Sequence, residues 1–376
     1  MLEPFEKPFY ITQPLLPDMD EFNDMLKIIW ASKQLSNNGA MVRQLEKELA
    51  GFLDTDYLSV FSNGTVGLQL ACKVLRLSGE VITTPFTFAA TAHSLAWNNI
   101  KPVFCDVEEE TYNINPDLIE SLITPDTTAI MPVHVFGYPC DTEKIQKIAD
   151  KYGLKVIYDA AHAFGVKVKG KSISHFGDIS MFSFHATKIY HTIEGGALTF
   201  KNPYHKERAD SLRNFGIKLP DIVMEPGTNG KMNEIQAAVG ILLLKKVEEE
   251  IRRRKEITSL YRLLLDEIPG IKTSKDMDGV THNYAYFVIQ VDKKEFGATR
   301  DELYDKLIQY NVIARKYFYP LCSNFQCYKD YPSSSRKNLP VANKISENVL
   351  SLPLHGRMLS SDVEKICSII KAIHEG

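Results

Sequence analysis

The sequence predicts an α/β protein with two parts. A large domain has a mostly parallel central sheet covered on both faces by helices, and a smaller α/β domain follows it. Three observations carry this. Short apolar runs alternate with stretches of helical period through the first 200 residues. Turn residues punctuate the ends of those runs, as in Ser62-Asn63-Gly64-Thr65. After Phe200 the texture changes to long helical stretches and one clear strand. The division is drawn as residues 1–249 for the large domain with its N-terminal helices, and 250–376 for the smaller one.

Phe22, Met25, Leu26, Ile29 and Trp30 recur at helical spacing, and Val42, Leu45, Leu49 and Phe52 repeat the pattern beyond the turn Ser36-Asn37-Asn38-Gly39. Two amphipathic helices thus precede the first strand, Tyr57–Phe61. That strand breaks at Ser62-Asn63-Gly64-Thr65, and a helix runs through Leu68, Leu70, Ala71, Val74 and Leu75. Strand, glycine turn, helix is the layout that aims free backbone N–H groups at an anion.

Alternation then continues with strand Val81–Thr83, helix Thr87–Trp97, strands Pro102–Asp106 and Ala129–Val133, helix Thr142–Tyr152 and strand Lys155–Asp159. Two further apolar runs, Met181-Phe182 with Phe184 and then Ala197–Phe200, flank Lys188. In such sheets, ligands sit beyond the carboxyl ends of the strands. Helices at about 232–244 and 247–267 end at Pro269-Gly270, followed by strand Tyr284–Val291 and helices Arg300–Gln309 and Val363–Ile373. Pro332–Arg336 reads as the most loop-like segment.

With 44% apolar and 24% charged residues in 376, the chain is an ordinary globular protein. Its net charge of −3 favours neither nucleic acid nor an acidic membrane, so an anionic ligand must be met by local groups. Six cysteines without a Cys-x-x-Cys pair fit reduced, packed thiols. The N-terminal ten residues hold no signal-peptide core and no later segment is apolar enough to span a bilayer, so a cytoplasmic location is expected. The ten histidines show no metal-ligand spacing, and no metal is expected. No Gly-x-Ser-x-Gly, Walker or Gly-x-Gly-x-x-Gly pattern is present. The run Glu248–Arg254 places acids four residues ahead of bases and reads as a solvated helix face.

Lys188 lies between two strands, where an amine partly out of water becomes a nucleophile toward carbonyls; a surface lysine is the plain alternative. Asp159 ends an apolar strand. It reads equally as a helix cap or as the partner of a cation such as a protonated pyridine nitrogen. His162, three residues on, is either a satisfied buried histidine or a hydrogen-bonding or stacking partner of a ring. Gly64 and Thr65 suit a phosphate or ordinary capping, and Ser183 suits a phosphate or a buried hydroxyl. Phe88, at the same strand edge, is core or a stacking surface.

Their conjunction, in this order on successive units of one sheet, is what a phosphorylated pyridine aldehyde needs. On these residues the chain resembles the sugar aminotransferases of the DegT/DnrJ/EryC1/StrS family, which are fold-type I enzymes dependent on pyridoxal 5′-phosphate. The resemblance runs from Thr12-Gln13-Pro14 to Leu352-Pro353-Leu354-His355 and is most specific at Ser183-Phe184-His185-Ala186-Thr187-Lys188 with Glu194-Gly195-Gly196. It implies that Lys188 is the Schiff-base lysine, that Asp159 partners the pyridine nitrogen, that Phe88 stacks on the ring, and that Gly64, Thr65 and Ser183 hold the phosphate. His162 stands where the family often has a glutamine. Asn229 matches an asparagine that reaches the neighbouring subunit's cofactor, which implies a homodimer. Thr228 and Lys231 depart from the family's aromatic and arginine. To the Glu194-Gly195-Gly196 turn falls only the reversal of the chain.

The resemblance further implies transfer of an amino group from L-glutamate to a nucleotide-linked keto sugar, with pyridoxamine 5′-phosphate as the cofactor form between the two halves. The opening Thr-Gln-Pro, the Ser36–Gly39 turn and Gly230-Lys231-Met232-Asn233 look most like enzymes making dTDP-4-amino-4,6-dideoxy-D-glucose for surface polysaccharide such as O-antigen. The alternatives are a C3 transaminase on a 3-keto-6-deoxyhexose, and a lyase or dehydratase of the same fold. Lys218, Arg315, Lys316 and Arg357 are candidates for the sugar nucleotide's diphosphate because they fall in loops or element ends.

Overall fold

A computed structural model of the chain describes residues 2–376. Seven strands build the central sheet: β1 (Leu58–Phe61), β2 (Glu80–Thr83), β3 (Lys101–Phe104), β4 (Thr127–Met131), β5 (Lys155–Asp159), β6 (Ile179–Ser183) and β7 (Gly196–Phe200). Their spatial order is β1-β7-β6-β5-β4-β2-β3, and β7 alone runs antiparallel to its neighbours. These runs are almost wholly buried, as a sheet covered on both faces demands.

Local chemistry sets the helix boundaries. Asp18 accepts hydrogen bonds from the Asp20 and Glu21 amides (3.0 and 3.1 Å) and starts helix Met19–Ser32. Asp141 caps Thr142–Tyr152, which ends at Gly153 with φ 67°, a left-handed stop that glycine adopts without strain. Helix Glu234–Leu244 begins with a capping box between Asn233 and Gln236. It is apolar all round and buries Ala237, Ala238, Val239, Ile241 and Leu243 against the two N-terminal helices and the sheet.

Helix Val247–Leu265 carries Val247 into that core, and Ile257, Tyr261 and Leu265 into a second core. The second core packs on an antiparallel sheet of β8 (Ile271–Thr273), β9 (Phe287–Val291) and β10 (Val349–Leu352). Phe9–Tyr10 pairs in parallel with Val312–Ile313, so the chain's start packs Phe5 and Phe9 on this C-terminal core.

Several expectations need correction. The strand predicted from Tyr284 begins at Phe287, because Tyr284 has φ 52° and Asn283 is held by the carbonyls of His162 and Phe164 (2.8 and 2.9 Å). Helices Pro203–Leu212 and Pro340–Asn348, with strands β8 and β10, are additional to the predicted elements. The charge run is not uniformly solvated. Glu249 pairs with Arg252 and Arg253 at the surface, but Glu250 and Arg254 form a buried pair at 2.7 Å. Five cysteines are buried thiols and Cys327 is exposed; none is disulfide-bonded. Among the described residues no helix is long and apolar enough to cross a membrane, and no three metal-ligating side chains converge.

Candidate active site

The carboxyl ends of β1, β2, β5 and β6 open on one edge of the sheet, where β7 also begins. A cleft of about 600 Å³ lies there. It brings together Gly64, Thr65, Phe88, Asp159, His162, Ser183 and Lys188, every predicted cofactor residue except Asn229.

Asp159 sits at the floor of the cleft and is buried. Its Oδ2 accepts from Thr91 Oγ1 at 2.8 Å, and Thr91 in turn bonds the Thr87 hydroxyl at 2.9 Å. Its Oδ1 accepts the Ala161 amide at 3.1 Å, so the carboxylate caps a local turn and also faces the cleft. Burial pushes its pKa up, opposed by the Thr91 bond, the Ala161 amide and the charge of Lys188. A carboxylate so placed is stabilised by a cation opposite it.

His162 Nδ1 accepts the Phe136 amide at 3.1 Å, which leaves the ring proton on Nε2. Burial, reinforced by the charge of Lys188, holds its pKa well below the ordinary value, so the ring is neutral. It lies parallel to Phe318 at 5.9 Å and edge-on to Tyr286 at 4.8 Å.

At the start of helix Gly64–Val74, Asn63 Oδ1 takes the Val66 amide (2.9 Å) and Asn63 O the Gly67 amide (3.2 Å). The Gly64 and Thr65 amides find no protein acceptor among the described residues, which is the donor set an anion uses. Close packing holds this helix start in place. A Cβ at Gly196 would lie 2.8 Å from Gly64 Cα and N, and one at Gly195 would collide with Thr192. Gly196 of the turn read as a mere reversal therefore lets the start of this helix press against β7, while Gly195 leaves room for the Thr192 side chain. Phe88, 63% exposed, presents its ring at the cleft margin.

Lys188, half-buried between β6 and β7, donates from Nζ to Tyr286 Oη at 3.2 Å. Beyond the predicted residues, Tyr286, Tyr317 and Phe318 line the cleft and Thr91 supports Asp159. The first three arrive from the C-terminal part of the chain, and no spacing near them marks a cleft. Thr91 had a faint signal, lying four residues after Thr87 on a helix that faces the sheet edge.

The other candidates lie elsewhere. Lys218 is exposed on the hairpin strand Ile217–Leu219. Lys316 is held by Asp301 at 2.6 Å and lies over the Tyr304 ring. Arg357 is exposed beyond Gly356. Arg315 borders a side recess of about 90 Å³ that shares Thr187, Tyr286 and Tyr317 with the cleft. Asn229 is exposed outside the cleft, but the next residue's carbonyl, that of Gly230, accepts the Ser62 amide at 2.8 Å just before the Asn63-Gly64-Thr65 turn.

The donor set matches a planar, phosphorylated pyridine aldehyde at each end: free amides and a serine for the phosphate, a buried carboxylate for a ring nitrogen, an amine for the aldehyde. Fold and cleft thereby define the class, a fold-type I enzyme that depends on pyridoxal 5′-phosphate. The chain belongs to the DegT/DnrJ/EryC1/StrS aminotransferase family, whose model matches residues 18–371. It is 46% identical over 368 residues to a dTDP-4-amino-4,6-dideoxy-D-glucose transaminase of Shigella dysenteriae, covering 98% of this chain and all of that one. A transaminase of the same name from Escherichia coli is 45% identical, covering 97% and 98%. The crystal structure of DesI in the presence of its TDP-sugar product superposes with a TM-score of 0.94 at 33% identity, covering 99% of this chain and 94% of that one. The protein is a transaminase.

Proposed function

We propose that the enzyme moves the amino group of L-glutamate to dTDP-4-keto-6-deoxy-D-glucose, giving dTDP-4-amino-4,6-dideoxy-D-glucose for a surface polysaccharide such as O-antigen. The full-length identity of 45–46% to two transaminases of that product carries this reading.

When bound, pyridoxal 5′-phosphate supplies the aldehyde that takes up the amino group and the ring that accepts electrons from a substrate carbanion. Around it the protein's residues have separate tasks. Lys188 would hold the cofactor through its aldehyde, and its amine, when free, takes the α-proton on Nζ as general base and returns it as general acid. Asp159 keeps the ring nitrogen protonated, and Thr91 holds Asp159 in place. His162, with its proton fixed on Nε2 by the Phe136 amide, donates to the ring oxygen as a glutamine amide would. Gly64, Thr65 and Ser183 bind the phosphate, and Phe88 covers the ring. Two copies of the chain share sites, Asn229 of each serving the other's cofactor, in the cytoplasm. The diphosphate meets Arg315 or one of Lys218, Lys316 and Arg357.

The deciding experiment incubates the enzyme with glutamate and a panel of dTDP- and UDP-linked 3-keto and 4-keto sugars, with products identified by NMR. Glutamate-dependent formation of the 4-amino product is expected, and Lys188→Ala abolishes it. Amination at C3, or turnover by Lys188→Ala at the wild-type rate, would overturn the reading.

A further inference from the structure

We infer that Tyr286 is a positioning residue that holds the free Lys188 amine in both of its protonation states during proton transfer. This rests on Lys188 as the reactive lysine. Tyr286 Oη lies 3.2 Å from Lys188 Nζ, and the amine is 5.8 Å from the centre of the tyrosine ring. A base that gives up and regains one proton needs a partner that suits both states. A phenol accepts a hydrogen bond from an ammonium and donates one to a neutral amine, so the same group serves each half of the cycle without moving.

The hydroxyl is also held from several sides. The Tyr286 ring meets the His162 edge at 4.8 Å, Phe136 at 5.5 Å and Tyr317 at 6.1 Å. The backbone leading into it is gripped at two points. Asn283 donates to the carbonyls of His162 and Phe164, and Arg254 donates to the Ala285 carbonyl at 3.1 Å. Arg254 is itself fixed by the buried carboxylate of Glu250 at 2.7 Å. A hydroxyl anchored this way gives a flexible lysine, with its four-carbon stem, one defined place from which to reach the substrate's α-carbon. Loss of such placement costs on the order of 10- to 100-fold in rate.

The test uses the holoenzyme and Tyr286→Phe, which keeps the ring and its packing. The expected result is a fall in kcat of about 10- to 100-fold with KM for glutamate within about twofold. With α-deuterated glutamate the isotope effect on kcat rises, because proton transfer becomes slower than the other steps. Cofactor affinity, read by fluorescence titration, stays within about twofold, since no bond to the cofactor is removed. An unchanged kcat and isotope effect overturn the inference. So does a weakened cofactor affinity with kcat retained, which marks a packing role. Borohydride reduction followed by peptide mapping keeps the two readings apart: cofactor fixed to Lys188 in both wild type and Tyr286→Phe upholds the lysine whatever the tyrosine does. If Tyr286→Phe fails to fold, Tyr286→His, which retains a donor and acceptor, shows a smaller loss than Tyr286→Leu; equal losses overturn the inference.

Discussion

His134 stacks on Tyr158 at 4.6 Å, and its two nitrogens are unequally served. Nδ1 accepts the Cys140 amide at 3.0 Å, while Nε2 is buried with no partner among the described residues. Burial alone lowers its pKa to about 3. His355 is lowered to about 4, again chiefly by burial, and His162 well below its ordinary value. The sign follows from where protons bind. Between pH about 6.5 and the lowered folded value, the unfolded chain holds a proton that the folded chain refuses. Stability is therefore full above pH about 6.5 and falls as the pH drops, by about 1.4 kcal/mol per pH unit for each such histidine. Asp159 acts in the opposite sense, because its raised pKa lets the folded chain take up a proton first. Denaturant unfolding between pH 7 and 5 checks this. His134→Phe should reduce the stability lost over that interval by about 2 kcal/mol, even though the stranded Cys140 amide lowers stability throughout. Equal slopes in the two proteins would show that His134 titrates freely.

Helix Val247–Leu265 shows how far a charge pattern can mislead. Three acid–base pairs at i,i+4 begin at consecutive residues, and each step turns the helix by about 100°, so the pairs cannot share one face. The stripe Ile257, Tyr261, Leu265 extends back, in steps of three and four, through Arg254 and Glu250. The inward pair was thus legible from the apolar stripe, though not from the charges. Glu250 also accepts the Gly356 amide at 2.9 Å, so the pair ties the helix to the C-terminal turn and to the loop that carries Tyr286. Glu250→Leu leaves Arg254 charged and unpaired in the interior, which costs about 3–5 kcal/mol. Adding Arg254→Met should restore much of that stability, measured by denaturant unfolding, without restoring full turnover, because the Ala285 carbonyl beside Tyr286 stays unheld. A double variant as weak as the single one would mean that the Gly356 contact, not the stranded charge, sets the loss.

At the scale of the whole chain, the central sheet and most of the candidate residues that line the cleft were readable because they are local. Asp159 and Ser183 end strands, Gly64 and Phe88 stand where helices begin just beyond strands, and the strand order then gathers them at one edge. The pairing of Phe9–Tyr10 with Val312–Ile313, and the arrival of Tyr286, Tyr317 and Phe318 over Lys188, depend on packing between distant segments and leave no periodic trace. The least local feature of all is the proposed sharing of sites between two copies. Asn229 is exposed, close to the hairpin of Ile217–Leu219 and Ile222–Val223, where Phe215, Leu219, Val223 and Met224 are also exposed. If Asn229 serves the partner's cofactor, Lys188→Ala and Asn229→Ala complement each other. In a mixed dimer one site then carries both changes and the other carries neither. Unfolding and refolding equal amounts of the two variants, at a cofactor concentration too low for Asn229→Ala alone to turn over, should make about half of the dimers mixed, each with one intact site, for about a quarter of wild-type activity. Should Asn229 act within its own chain, every site in the mixture carries one lesion, and turnover stays at the level of the variants alone.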